Sequence, residues 1–185
     1  MRGGNFMRDF MRICALVGVL VWGVGLEGKE AIYFMPQEQK AALNALKTTL
    51  GSAKKTIHIA IYNFTNKEIA KVLRDRARNG VQIHIIYDRE SNLKNPHSTI
   101  GYLGALRNIS VCLLSGKKAG QKNYFGIMHQ KLAIVDGEQV VFGSANWSKN
   151  AFENNYEILF VSDKKALVEK AENAFGEMLR DCKAY

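Results

Sequence analysis

Proline is nearly missing from this chain, with two in 185 residues. That excludes a proline-rich linker or a collagen-like repeat. Three cysteines are too few for the dense disulfide framework of a small secreted scaffold. Together with four histidines they show none of the spacings that hold zinc, so neither a metal nor another cofactor is expected. Internal repeats and low-complexity tracts are also lacking, which argues against a solenoid or a long disordered region. The uncharged run Ile13 to Leu26, ICALVGVLVWGVGL, has 14 residues, short of the roughly 20 that span a bilayer.

What is present divides at that run. Arg2, Arg8 and Arg12 precede it, and charges resume at Glu27 and Lys29. A basic leader before a short apolar stretch reads as a signal peptide or an N-terminal membrane anchor over residues 1–26, with Gly23 and Gly25 the best small pair for cleavage. Export, to the periplasm or a membrane surface, is the expectation. Residues 27–185 then form one domain, with ordinary hydrophobic (47%) and charged (23%) content for the whole chain. Without the leader's three arginines and one aspartate the domain holds 23 basic and 16 acidic residues, a net charge of +7. Such a surface favours anionic partners, nucleic acid or lipid headgroups. Its two cysteines leave two readings: pairing in an oxidising compartment, or, favoured by the apolar strand ISVCLL around Cys112, a buried thiol there.

The domain alternates strand and helix patterns. AIYFM (31–35), TIHIAIYNF (56–64), VQIHIIYD (81–88), ISVCLL (109–114) and YEILFV (156–161) read as strands. Helices are expected from Pro36 to Gly51, over NKEIAKVLRDRARNG, and over a capped final segment from Ser162. IMHQKLAIVDGEQVVFGS reads as a hairpin turning at Asp136–Gly137. The implied fold class is α/β, a mixed β-sheet flanked by helices on both faces.

The hairpin carries the chemistry. Alternation along a strand would turn His129 and Lys131 the same way, and Ser144 and Asn146 share that spacing at the end of the partner strand. An imidazole, an ammonium, a hydroxyl and an amide then converge, a set that suits a phosphate: donors for its oxygens and a nitrogen nucleophile for phosphorus. Asp136, at the turn, is better suited to bracing backbone than to touching substrate. A lone histidine on a strand is usually a satisfied core residue, the reading given to His58 and His84. That reading does not account for H-x-K-x4-D-x6-G-S-x-N as a set.

With these residues the chain resembles the phospholipase D superfamily through its HKD motif, His129, Lys131 and Asp136, followed by Gly143, Ser144 and Asn146. It looks like the single-motif bacterial endonucleases of the Nuc type over most of the domain. The resemblance implies a phospholipase D-like α-β-α sandwich and a homodimer that completes one active site, because only one motif is present. It implies His129 as the nucleophile of a phosphohistidine intermediate, His129 of the second copy as acid and then base, and Lys131, Ser144 and Asn146 as holders of the phosphoryl oxygens. Glu157 would hydrogen-bond His129, and no metal would be required.

The motif leaves the substrate open. In SGKKAGQKNYFG, Lys117, Lys118 and Lys122 stand beside Tyr124 and Phe125, cations for phosphates next to rings for bases. RESNLKNPHSTIG adds Arg89, Lys94 and His97. These favour single-stranded DNA, with duplex DNA and RNA as weaker substrates and little sequence preference. The alternatives are a phospholipase D or cardiolipin-type hydrolase, against which the polar loops argue, and a catalytically silent DNA-binding protein, which leaves the intact motif unexplained.

Overall fold

The structure, a computed structural model, describes residues 29–120 and 124–185. The leader and Lys122 therefore lie outside the described residues. β1 (Glu30–Met35) leads into α1 (Gln39–Gly51), which begins after Pro36 rather than at it, the Glu38 carboxylate accepting the Phe34 N–H at 2.9 Å in the turn. β2 (Thr56–Ile61) follows, then α2 (Lys67–Arg78), whose cap Asn66 accepts from the N–H groups of Glu68 and Ile69. Next come β3 (Gln82–Asp88), the short helices α3 (Arg89–Leu93) and α4 (Ile100–Gly104), and β4 (Ile109–Leu114). A small hairpin, β5 (Lys118–Ala119) and β6 (Tyr124–Phe125), precedes the main hairpin of β7 (Lys131–Val135) and β8 (Gln139–Gly143). α5 (Lys149–Glu153), β9 (Glu157–Ser162), α6 (Lys165–Asp181) and β10 (Lys183–Ala184) complete the chain.

Among the described residues the main sheet has eight strands in the order β1-β9-β8-β7-β2-β3-β4-β10. β2, β3 and β4 run parallel and the remaining pairs antiparallel, so the mixed sheet expected from the sequence is observed. Alternation along each strand feeds two cores. Ile57, Ile59 and Ile61 pack with Leu46, Leu50, Leu73, Ile85 and Trp147 on the α1–α2 face. Ala60, Ile86, Leu132, Ile134 and Val140 meet Val168 and Phe175 of α6 on the other. His58 belongs to this second layer, with Nδ1 2.8 Å from the Glu172 carboxylate and its ring stacked on Phe175. It serves the docking of α6, as a structural histidine should.

α6 leaves part of its face bare. Ile32 and Phe34 of β1 pair in register with Phe160 and Ile158 of β9, and Phe160 faces Phe142 of β8. Ile32, Phe34, Phe142 and Ile158 are 39–52% exposed, a contiguous apolar stripe at one edge of the sheet.

Two expectations are corrected. Cys112 is not a buried thiol: α6 returns the chain alongside β4, Ala184 pairs with Cys112, and Cys112 and Cys182 are joined in a disulfide with Cα atoms 5.8 Å apart. The final helix has no side-chain cap; Lys164 occupies that position, and the Ser162 hydroxyl accepts its N–H instead. No helix among the described residues is long and apolar enough to cross a membrane.

Candidate active site

β7 runs antiparallel to β2, so its first residue, Lys131, lies opposite Ile61, the last of β2. This meeting point is also where the parallel strands β2 and β3 end, the usual place for a site in an open α/β sheet. His129 is not within the strand but in the exposed approach to it. The chain is nevertheless held there, since the Tyr62 N–H donates to the Gln130 carbonyl at 2.9 Å and extends the ladder.

Lys131 is 6% exposed. Its ammonium donates to the His129 carbonyl at 2.9 Å and lies 3.1 and 3.0 Å from Nδ1 and Nε2 of the same imidazole. An atom equidistant from both ring nitrogens at that range cannot lie in the ring plane without striking Cε1, so it stands over the ring face. Tyr62 closes the group: its ring meets His129 edge-on at 4.5 Å, and the ammonium is 5.2 Å from its centroid. Burial pushes the Lys131 pKa down, and the Glu157 carboxylate partly offsets this.

The second polar cluster is fixed by backbone. A Cβ on Gly143 would stand 2.1 Å from the Ile158 carbonyl oxygen, so only glycine lets β8 approach β9 this closely. The Ser144 N–H donates to the Ile158 carbonyl at 3.1 Å, its hydroxyl accepts from the Ile158 N–H at 3.0 Å, and that hydroxyl donates to Glu157 Oε2. Trp147, buried against Phe64, donates its N–H to the Asn63 carbonyl and accepts from Thr65 and Asn66. This clamps the turn carrying Asn146. The amide oxygens of Asn146 and Asn63 are both buried without a partner among the described residues.

The placement of Glu157 differs from expectation. Glu157 bonds Ser144 and, at 3.4 Å, the Asn155 amide; it makes no hydrogen bond to His129 within the protomer, because the β8–β9 register puts it beside Ser144. Asp136 lies at the far end of β7, roughly 17 Å of strand from Lys131, and does not join the cluster. It sits at φ 55° next to Gly137 at φ 67° and accepts from the backbone N–H groups of Lys54, Lys55 and Thr56, each at 2.8 Å. Burial works against its ionised form, but the N–H groups of Thr56, Lys54 and Lys55 outweigh it and hold the carboxyl below its ordinary value. Asp136 thus ties the hairpin turn to the loop before β2.

A groove of about 780 Å³ leads away from His129 between Gln130, Ile127, Ser115 and Lys117 on one side and Glu177 and Arg180 of α6 on the other. It adjoins a second groove of about 720 Å³ lined by Arg89, Lys117, Lys118, Tyr124, Phe125, Ile127 and Lys183, with Glu90 and Asp181. The expected Arg89, Lys117, Lys118, Tyr124 and Phe125 are therefore brought together; Lys94 caps the end of α3 and lines neither groove. Tyr62, Asn63, Arg180 and Lys183 escaped the sequence reading. Only Tyr62 left a signal, as an aromatic at the end of a strand that faces the motif. Among the described residues no group of three or more His, Cys, Asp or Glu is placed to hold a metal.

Residues 46–179 match the family described as "Cardiolipin synthase, PLD-like domain". The solved structure of NucT from Helicobacter pylori is 48% identical and superposes with a TM-score of 0.84, covering 86% of this chain and 100% of that one. Nuc from Salmonella typhimurium, described as a phospholipase D family member, is 24% identical with a TM-score of 0.71 over 86% of this chain and 99% of that one, a likeness of fold. The mitochondrial cardiolipin hydrolase of Xenopus laevis is 28% identical over 138 residues, 75% of this chain and 61% of its own length. The chain thus spans less than two thirds of that curated relative.

Proposed function

This chain belongs to the phospholipase D superfamily, and on that premise we propose that it is a phosphodiesterase that hydrolyses nucleic-acid strands, single-stranded DNA best, duplex DNA and RNA less well. The observation that carries the substrate class is the pair of adjoining grooves, in which Lys117, Lys118, Arg89 and Lys183 stand with Tyr124 and Phe125 in the one that borders the groove at His129. In the proposed reaction an imidazole nitrogen of His129 attacks phosphorus, and the P–O bond to the leaving oxygen breaks as that oxygen takes a proton from a second imidazolium. Water then attacks the phosphohistidine, giving its proton to the second imidazole as the P–N bond breaks. Lys131, with the amide of Asn146 and the hydroxyl of Ser144, offsets the charge on the phosphoryl oxygens, a role that otherwise falls to a metal ion.

The second imidazole is His129 of another copy of the chain. Attack and leaving-group protonation come from opposite sides of phosphorus, so one ring cannot serve both. The bare stripe of Ile32, Phe34, Phe142, Ile158 and Phe160 adjoins Ser144 and Glu157, and an isologous contact there would set the two sites facing each other. In such a dimer Glu157 would be free to meet the opposite copy's imidazole. The disulfide supports the expectation of export, since such bonds persist in oxidising compartments.

A lipid substrate is the second reading. It is favoured by Tyr124, Phe125 and Ile127, 50–64% exposed at the groove rim. Purified protein in EDTA is incubated with labelled single-stranded DNA and with cardiolipin vesicles. Strand cleavage without lipid turnover is expected. Lipid hydrolysis with intact DNA would transfer the assignment to the second reading.

A further inference from the structure

Two polar side chains in the core belong to nothing described so far. Asp88, 1% exposed, ends β3, and Asn92, wholly buried, lies one turn further on in α3. Burying such groups is costly unless their polar atoms are matched, and the matches are informative.

Asp88 divides its two oxygens. Oδ1 accepts the Ser91 N–H at 2.9 Å and so caps α3, whereas Oδ2 accepts the N–H of Met128, also at 2.9 Å. Met128 is the residue directly before His129. Asn92 divides its amide in the same way. Its Oδ1 accepts the Ser98 hydroxyl at 2.9 Å, and its Nδ2 donates to the Asp88 carbonyl at 2.9 Å and the Tyr62 carbonyl at 2.6 Å. Helix capping accounts for the Ser91 bond, and loop closure for the Ser98 bond. Neither accounts for the bonds to Met128 and Tyr62.

Those two residues flank the imidazole. The Met128 backbone fixes where the chain enters His129; Tyr62 holds the next residue, Gln130, by its N–H and packs its ring against His129. Asp88 and Asn92, themselves joined, grip both by main-chain atoms. The result is a closed circuit from Asp88 through Met128, His129, Tyr62 and Asn92 back to Asp88. His129, although exposed, is thereby held on a rigid mount.

We propose that Asp88 and Asn92 are positioning residues that fix the imidazole of His129 against Tyr62 for in-line attack. The proposal rests on the reading of His129 as the nucleophile. Misplacing a reacting group by about 1 Å costs roughly 10²-fold in rate, so a brace that touches no substrate can still govern turnover.

Asp88→Asn is nearly isosteric: it keeps the capping oxygen but turns an NH2 toward the Met128 N–H. Asp88→Ser keeps a good cap and cannot reach Met128. Asn92→Asp keeps the oxygen for Ser98 and sets an acceptor against two carbonyls. On the chromogenic diester bis(p-nitrophenyl) phosphate, well below each variant's Tm, kcat should fall by about 10²-fold with KM unchanged. A second readout needs no substrate. The ring-proton resonance of His129, assigned by its loss in His129→Ala, should leave its Tyr62-shifted position in Asp88→Asn and Asp88→Ser. This arm stands even if the protein proves to hydrolyse no diester. Folded Asp88 variants with wild-type kcat and an unmoved resonance would overturn the proposal. So would activity that fell only in proportion to the fraction unfolded.

Discussion

At the scale of the residue, the account turns on a lysine in a place that does not suit it. Lys131 is nearly buried, and its ammonium meets the His129 carbonyl, the His129 and Tyr62 rings and the field of the Glu157 carboxylate. Burial lowers its pKa, so the folded protein binds fewer protons at this site than the unfolded chain does. Between the lowered folded value and the ordinary 10.5, stability should therefore rise with pH as the charge is shed. Activity should fall over the same window, because the neutral amine no longer offsets phosphoryl charge. Lys131→Met should separate the two effects: turnover lower by at least about 10²-fold, and a Tm at neutral pH no lower than wild type. A large drop in Tm would mean that the ammonium is there for stability. Asn146→Ala should lose turnover on the same order. The residue types of this cluster were legible in the sequence because five rare polar positions recur at fixed spacing in an apolar hairpin. Asp88 and Asn92 were not, because their bonds to Met128 and Tyr62 join residues 30 and 40 positions apart and no local pattern announces them.

At the scale of the element, the two ends of the β7–β8 hairpin do different work. The strand ends carry His129, Lys131, Ser144 and Asn146, while the turn carries Asp136, which organises three backbone N–H groups of the loop before β2. The Asp136 carboxyl is held below its ordinary value, so its stabilisation is present above about pH 4 and is lost as pH falls through the folded value. Asp136→Asn should lower Tm at pH 7 and weaken the acid limb of the stability profile, with kcat per folded molecule unchanged; calorimetry and single-substrate kinetics on one sample test both. A comparable fall in kcat would return Asp136 to the reacting centre. α2, β3 and the main hairpin were readable because a 3.6- or 2-residue period with caps and an Asp–Gly turn marks them. The approach to β7 was read as strand because His129 and Lys131 keep alternate spacing, yet the strand begins only at Lys131. The β5–β6 hairpin, α3, α4, α5 and β10 are too short to show a period. The Cys112–Cys182 link depended on where α6 ends, which tertiary packing decides.

For the whole molecule, the sheet leaves an apolar stripe uncovered beside Ser144 and Glu157. If the stripe is where two copies meet, Phe34→Lys and Ile158→Lys should yield folded monomers, seen by light scattering, that have lost diesterase activity. Active monomers would show that one chain suffices. Co-refolding wild type with excess His129→Ala should then drive activity toward zero rather than in proportion to the wild-type chains present.

The proposed reaction passes through a covalent bond between His129 and phosphorus. The most direct measurement is a rapid quench of the protein in EDTA with a single-stranded oligonucleotide that carries label in its phosphodiester chain, followed by peptide mapping. The account predicts an acid-labile, alkali-stable phosphoramidate on the peptide that contains His129, formed and lost at rates matching turnover and absent from His129→Ala. Strand cleavage that leaves no label on this peptide and proceeds only when Mg²⁺ is supplied would contradict it.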